Sequence, residues 1–567
     1  MQRPRLRLLA YLWLTIGAVA VAPEACADTA TGQRWMIATG HATATEAAAD
    51  VFRDGGNAVD AAVAAALTLG VVDGNNSGIG GGCLVLIHTS DGRLIAIDGR
   101  ETAPAAAHKD MYLRDGKPLT TASQTGPLAV GTPGALAAYQ IAVERCGTRS
   151  LAELLQLGIT AAEEGFIVSR SYARAVKGVA RHLAKFDGSR AVLLHDDGSP
   201  IDEGERLVQR DLANTYRQVA EQGIGWFYRG PFAQKVGAWM AANGGILTAA
   251  DFAGYEAKLR EPLRTTYRGY TIIGFPPPSS GGIHVAQILN ILENYDLRAI
   301  EQQDRVAAAH ILVEAFKLAF ADRAHWLGDA DFVDVPRGLI SKEYAKELAQ
   351  RIDSERAIEV PTHGTPPNWR QDVFGRHTTH IAAADADGNW VAITATVNTG
   401  FGSKVIVPGT GVVLNNEMDD FSIHPGVPNA FGLVGAENNA VEPGKRPLSS
   451  MSPTIVLDNG GQPVLTAGAA GGPKIITQVV LAIVRQFDFE ESLTDAVERP
   501  RLHHQWRPNA VSYERDLQPA IVEGLRERGH NVEKLGSGGR TQAIARGENG
   551  EFIGVADSRG DGKTMGE

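Results

Sequence analysis

Two threonines in a hairpin, three carboxylates in one short loop, two adjacent serines and two glycines ahead of a helix are the residues of this chain whose types and spacing could do chemistry. The first group is His377-Thr378-Thr379-His380 with Ile381 to Ala384, a loop from Asp385 to Asn389, and a returning run from Trp390 to Thr399. A turn-rich loop between two β-like runs reads as an antiparallel hairpin. Centred on Asp387, it sets position 378 opposite position 396, so Thr378 and Thr396 share a face with Cβ atoms roughly 4.5–5.5 Å apart. A slip of one residue would undo that pairing, and β-branched threonine also suits a strand by shape alone.

The loop Leu414 to Phe421 gathers Glu417, Asp419 and Asp420. Such a cluster can bind a metal, bind an ammonium group, or form a solvated turn. Metal is disfavoured because His424 is the one soft ligand nearby and the EF-hand spacing is absent; an amine ligand fits better. Downstream, Lys445 to Pro453 supplies the hydroxyls of Ser449 and Ser450, and Gly468 to Pro473 joins a strand to a helix starting near Lys474, with Pro473 suited to a first helical position. Backbone N–H groups at a helix start are anion donors, so Gly471 and Gly472 could form an oxyanion hole. The rival reading is a phosphate loop, but the Walker sequence is missing, as are the Gly-x-Ser-x-Gly elbow and the His-Glu-x-x-His helix.

The elements that must position these groups divide near residue 377. Before it the chain is helix-rich: Ala47 to Arg53 stops at Gly55-Gly56, Asn57 caps a second helix from Ala58 to Leu69, and the apolar spacing of Val306 to Leu327 predicts a core helix. Gly78 to Gly82 leads into a strand, Cys83 to His88, whereas a dinucleotide fingerprint needs a helix after its glycines. From about Pro336 to Arg376 the pattern dissolves into proline, glycine and charge, and reads as a solvent-exposed connector. Beyond it come strands: Thr378 to Ala384, Trp390 to Val397, Gly411 to Leu414 and Pro463 to Ala467. The mixture suggests sheets covered by helices, an α/β or α+β sandwich.

Bulk properties narrow the function classes. The chain has 567 residues, is 44% hydrophobic and 21% charged, and carries a net charge of −11, so it reads as a globular protein for which nucleic acid is an unfitting partner. Arg3, Arg5 and Arg7 precede an apolar stretch from Leu8 to Val21 and the small-residue site Ala25-Cys26-Ala27, a signal-peptide pattern too short for a comfortable membrane span. Its cleavage after Ala27 leaves Cys83 and Cys146, too few for a disulfide framework; free thiols are expected, though one bridge can be drawn.

In order along the chain, GGNAVDAAVA near 55, GIGGG near 78, DGRETAP at 98, TTH at 378, LNNEMDDFS at 414, KRPLSSMSPTI at 445, AGG at 470 and RLHHQW at 501 resemble the γ-glutamyltranspeptidase (glutathione hydrolase) family of N-terminal-nucleophile hydrolases. The resemblance covers nearly the whole chain. It implies a four-layer αββα sandwich of α+β class, made by two subunits, 28–377 and 378–567, cut from one precursor between His377 and Thr378. It implies Thr378 as nucleophile and Thr396 as its hydrogen-bonding partner. Arg100, Ser449 and Ser450 become the clamp for a donor α-carboxylate, Asn398, Glu417 and Asp420 the α-amino site, and Gly471-Gly472 the oxyanion hole. The implied partners are γ-glutamyl compounds such as glutathione and amino-acid or dipeptide acceptors, with no cofactor and no metal, in a periplasmic or extracellular setting. Two departures stand out: Glu417 where the family often has Gln, adding negative charge, and Phe431 in the lid segment Pro425 to Gly444 where many members have Tyr. The alternatives are a β-lactam side-chain acylase of the same fold and a non-catalytic γ-glutamyl-peptide binding protein.

Overall fold

The runs around the paired threonines are mostly small and apolar on both alternating sets of positions, so both of their faces must be covered. The computed structural model, which describes residues 27–367, 379–424, 427–536 and 538–567, covers them. Two seven-stranded antiparallel sheets form the centre. The first runs in the order β14 (Lys563–Gly566), β2 (Trp35–Thr39), β8 (Thr379–Asp385), β9 (Trp390–Thr396), β3 (Gly82–His88), β4 (Leu94–Gly99), β5 (Lys258–Arg260). The second runs β1 (Asp28–Gly32), β13 (Phe552–Ala556), β12 (Arg540–Arg546), β11 (Pro463–Ala470), β10 (Thr454–Leu457), β7 (Tyr270–Gly274), β6 (Leu263–Tyr267). The sheets stack: Ala382, Ala384, Trp390 and Ala392 of the first meet Ile273, Ile455, Ile544 and Phe552 of the second in one apolar layer. The alternate residues Ile381, Ala383, Val391 and Ile393 point the other way, under α1 (Ala42–Arg53) and α2 (Ala58–Val72). The outer face of the second sheet is covered by α3 (Ser280–Leu292), α4 (Arg305–Trp326) and α6 (Lys474–Phe487). This is the four-layer αββα sandwich of α+β class.

Local sequence explains the pieces. Asn57 and Asp60 close a capping box at the start of α2, and all fifteen residues of that helix are buried, which suits its apolar circumference between α1 and the sheet. The β8–β9 register pairs Thr379 with Ala395 and Ala384 with Trp390, the register expected from a loop centred on Asp387. Cys83 and Cys146 are free. Among the described residues no helix is long and apolar enough to cross a membrane; the expected signal segment up to residue 26 lies outside them.

Three expectations need correcting. The stretch expected as an exposed connector contains α5 (Lys342–Arg351), whose Tyr344, Ala345, Leu348 and Ala349 are buried. Its apolar positions have helical spacing and Ser341 caps it, accepting from the Tyr344 amide at 3.1 Å, but its charged outer face masks the stripe. The strand expected over Gly411 to Leu414 shrinks to Val413–Leu414, paired with Val405–Ile406. Pro473 is the N-cap of α6 rather than its first residue.

Candidate active site

Glycine at positions 80 to 82 is a matter of space. A Cβ at Gly80 would run into the Val413 carbonyl, one at Gly81 into the Thr396 carbonyl, and one at Gly82 into the Glu101 carboxylate. The loop therefore lets the end of β9, the acidic loop and the turn after β4 converge, which accounts for the glycine run by close packing.

At that convergence Thr396, fully buried, accepts the Asn398 amide on its hydroxyl at 2.7 Å and keeps its own proton to donate. Asn398 adopts a left-handed φ of 77°. Its Nδ2 donates to the Asn416 carbonyl at 2.9 Å, while its Oδ1 is buried with no hydrogen-bond partner among the described residues. Asn415 shapes the next loop, donating to the carbonyls of Gly80 at 2.9 Å and Gly131 at 2.8 Å. The three carboxylates then part. Asp419 accepts from Ser123 Oγ at 2.6 Å and the Ala430 amide at 3.0 Å, a structural role, whereas Glu417 and Asp420 both turn to Arg100, the latter at 2.7 Å.

Arg100 is fully buried on the turn after β4 and every nitrogen is engaged: Nε with the Pro447 carbonyl at 3.2 Å, the others with Glu101, Glu417 and Asp420. Burial pulls its pKa down, but Glu417, Glu101 and Asp420 outweigh that and leave it raised. The carboxylates respond in the opposite sense. Burial pushes Glu101 up to about 7 against the pull of Arg100, and burial, together with the charges of Glu101 and Asp420, lifts Glu417 well above the usual carboxylate range. Burial and the neighbouring acids thus favour the neutral form of Glu417, while the Arg100 guanidinium paired with it favours the charged one. Glu101 was not anticipated, although its place directly after the arginine in DGRETAP is a legible signal.

Ser449 and Ser450 follow Pro447. Ser449 Oγ accepts the Met451 amide at 3.3 Å, and Ser450 Oγ is buried without a partner among the described residues. Their turn is stitched to the start of α3, where the Ser280 amide donates to the Ser449 carbonyl at 3.2 Å; the Ser279-Ser280 pair is another group the sequence reading passed over, though serines capping a helix after Pro276 to Pro278 were visible. Gly471 and Gly472 have φ of 133° and 66°, and a Cβ on Gly471 would come within 2.9 Å of Gly539 Cα. They end β11, whose Gly468 lies against the His380 ring. Burial pushes His380 down to about 3, so this neighbour of the threonines stays neutral and bonds Thr394 Oγ at 3.0 Å. His377 and Thr378 themselves lie outside the described residues.

Residues 44–567 match the family model for γ-glutamyltranspeptidase. The chain belongs to the γ-glutamyltranspeptidase family. Among its relatives, a glutathione hydrolase proenzyme of Escherichia coli (strain K12) is 42% identical over 526 residues, covering 92% of this chain and 90% of that protein. An acylase ACY 1 proenzyme of Pseudomonas sp. (strain SE83) is 40% identical over 546 residues, covering 94% and 93%. The crystal structure of a cephalosporin acylase from Bacillus halodurans superposes with a TM-score of 0.84 at 27% identity, covering 98% of this chain and 99% of that one. As a γ-glutamyltranspeptidase, the chain is a γ-glutamyl transferase and hydrolase.

One described group has metal-ligand character: His310 and Glu314 on α4, with His530 from the chain's last third. His310 Nδ1 and His530 Nε2 are hydrogen-bonded at 2.7 Å, and Lys317 Nζ sits 2.6 Å from Glu314 Oε1. The ammonium group already fills the place of a cation. The network ties α4 to the stretch at Asp353 and Ile358.

Proposed function

We propose that this γ-glutamyltranspeptidase is exported, loses residues 1–27, and cuts itself between His377 and Thr378 into subunits 28–377 and 378–567. Thr378 then carries γ-glutamyl transfer. Its hydroxyl attacks the γ-carbonyl of a donor such as glutathione while its free α-amine takes the proton. An α-amine titrates near 7.7–8.0 in model compounds, which serves a site whose nearby histidine stays neutral. Gly471 and Gly472 amides meet the oxyanion. Collapse of the intermediate breaks the C–N bond, the leaving amine takes the proton back, and a γ-glutamyl ester of Thr378 remains. Water or an amino-acid or dipeptide acceptor attacks that ester and frees the threonine.

The observation that carries this reading is the buried arrangement of Arg100 with Glu417 and Asp420, beside the unpartnered Asn398 Oδ1 and Ser450 Oγ. A γ-glutamyl donor is a zwitterion. Its α-carboxylate takes the guanidinium and hydroxyls, and its ammonium takes the carboxylates and the amide oxygen, so one ligand replaces the internal ion pairs with two external ones. Support for self-cleavage comes from relatives named proenzymes.

The test is mass spectrometry with N-terminal sequencing of each fragment, together with release of aniline from a γ-glutamyl anilide. Two chains starting at Asp28 and Thr378 are expected from the parent, and one inactive chain from Thr378→Ala. A split in Thr378→Ala that Thr379→Ala blocks would move the nucleophile by one residue. The named acylases support a second reading, hydrolysis of a glutaryl side chain. Asp420 and Asn398 Oδ1 argue against it, because a glutaryl group brings no amine; a glutaryl anilide cleaved faster than the γ-glutamyl one would favour it.

A further inference from the structure

Arg100 is the cation expected to hold the donor carboxylate, yet its nitrogens are all taken by the protein and it is surrounded by three carboxylates. A second guanidinium lies close by with the opposite problem. Arg323, in the last turn of α4, is 3% exposed and makes one hydrogen bond, from Nε to Ser280 Oγ at 3.3 Å. Its terminal nitrogens have no partner among the described residues. The adjacent Asp322 is turned away, accepting from the Gly364 amide at 2.6 Å, Gln287 at 2.7 Å and the Tyr344 hydroxyl at 2.8 Å. Asp420 is the one acid whose charge reaches Arg323. A guanidinium held this way is costly, because an ion removed from water needs a counter-charge. Burial, partly offset by Asp420, pushes it down to about 9, so it remains charged at neutral pH.

The contact it does make leads to the carboxylate clamp. Ser280 opens α3, and both its amide and its hydroxyl donate to the Ser449 carbonyl. The Ser279 hydroxyl donates to the Met451 carbonyl. Arg323 therefore braces, through one serine, the turn that presents Ser449 and Ser450.

We propose that Arg323 is a second cationic element of the donor site, a positioning residue that sets the Ser449-Ser450 turn through Ser280 and supplies the positive field that a donor α-carboxylate neutralises. This rests on the γ-glutamyl reading above. It accounts for how a site with more carboxylates than guanidinium groups around Arg100 attracts an anion: the uncompensated cation stands behind the serines, and the ligand completes its charge balance. Selectivity for donors that carry an α-carboxylate is then a property of Arg323 as well as of Arg100.

The test compares two anilides, γ-glutamyl and 4-aminobutanoyl, which share the amide and the amine and differ in the α-carboxylate. The parent enzyme prefers the first. Arg323→Gln is expected to raise KM for the γ-glutamyl anilide tens of fold with little change in kcat and to leave the 4-aminobutanoyl anilide untouched, whereas Arg323→Lys, which keeps the charge, retains most of the preference. An equal fall on both substrates means Arg323 only holds the fold, and undiminished preference in Arg323→Gln means it has no part in recognition; either result overturns the proposal. If Arg323→Gln fails to mature, Arg323→Lys decides, and loss of the preference in that variant counts against the charge argument. Thermal protection by L-glutamate compared with 4-aminobutyrate reads the same discrimination without turnover, so a parent that binds glutamate selectively but releases no aniline would overturn the catalytic reading and leave this one standing.

Discussion

At the scale of single residues, two buried acids beside Arg100 couple the candidate site to pH. Glu101 and Glu417 share burial beside one guanidinium, and both are held up in pKa, Glu101 to about 7. A carboxyl raised above its unfolded value stabilises the fold fully below about pH 4, and that contribution is lost as pH rises through about 7. An arriving ammonium group reverses the preference, because it favours the ionised carboxylate. Binding of L-glutamate at pH 6 should therefore release protons, and the share that comes from Glu101 should fall away as pH rises through about 7. Calorimetry in two buffers of different ionisation enthalpy measures this directly. Glu417→Gln should release fewer protons at pH 6, and release that is unchanged in this variant and independent of pH would show that the pair does not titrate with binding. Little of this could be read from the chain. The residue types at 417 and 420 suggested an amine ligand, but the pKa of Glu417 is set by its burial and by Arg100 and Glu101 beside it, groups more than three hundred residues away along the chain.

At the scale of elements, the glycine turn before β3 and the lid after the acidic loop control how closely the parts meet. Gly81→Ala drives a methyl group into the Thr396 carbonyl, between two strands that are already hydrogen-bonded. Overpacking of this kind costs about 1–3 kcal/mol. A lower denaturant midpoint and reduced turnover are expected, and wild-type values for both would show that β9 can yield. The lid invites a different expectation from the one Phe431 suggests. The Ala430 amide donates to Asp419 at 3.0 Å, Asn429 Nδ2 to Asp420 at 3.3 Å, and Gln505 Nε2 to the Phe431 carbonyl at 3.2 Å, while the Phe431 ring packs against the core of the second sheet. The segment is anchored without a tyrosine hydroxyl, whose contact would add about 1 kcal/mol net. Phe431→Tyr should thus change the ratio of free glutamate to γ-glutamyl-dipeptide little, and Asn429→Ala should shift it toward glutamate. A large rise in transfer for Phe431→Tyr would show that a tyrosine hydroxyl closes the lid more firmly than these contacts do. The hairpin, the capped α2 and the apolar α4 were legible because their periodicity is local; α5 was not, because half its surface faces water and its charges broke the pattern.

At the scale of the whole molecule, the cut proposed before Thr378 would not divide the fold. Strands from before it and after it lie side by side in both sheets: β8 pairs with β2, β9 with β3 and β14 with β2 in one, and β13 pairs with β1 and β10 with β7 in the other. The layer between the sheets likewise mixes Leu84 and Phe275 with Ala392 and Ile544. No hairpin pattern announces such pairings, since each joins segments far apart in sequence, and the strand order was accordingly beyond a reading of local period; the family resemblance supplied the architecture. The interleaving has a consequence for the processed enzyme. Each subunit alone would leave strand edges unpaired and the apolar face of every layer in water, so neither piece should hold its shape without the other. Cleavage should leave a species of unchanged native mass that unfolds in a single calorimetric transition with the precursor's cooperativity, while a denaturing gel resolves two chains. Separate elution of the 378–567 piece under native conditions, or two well-resolved transitions in the processed protein, would show that the sheets can be parted and that the two segments fold as independent units.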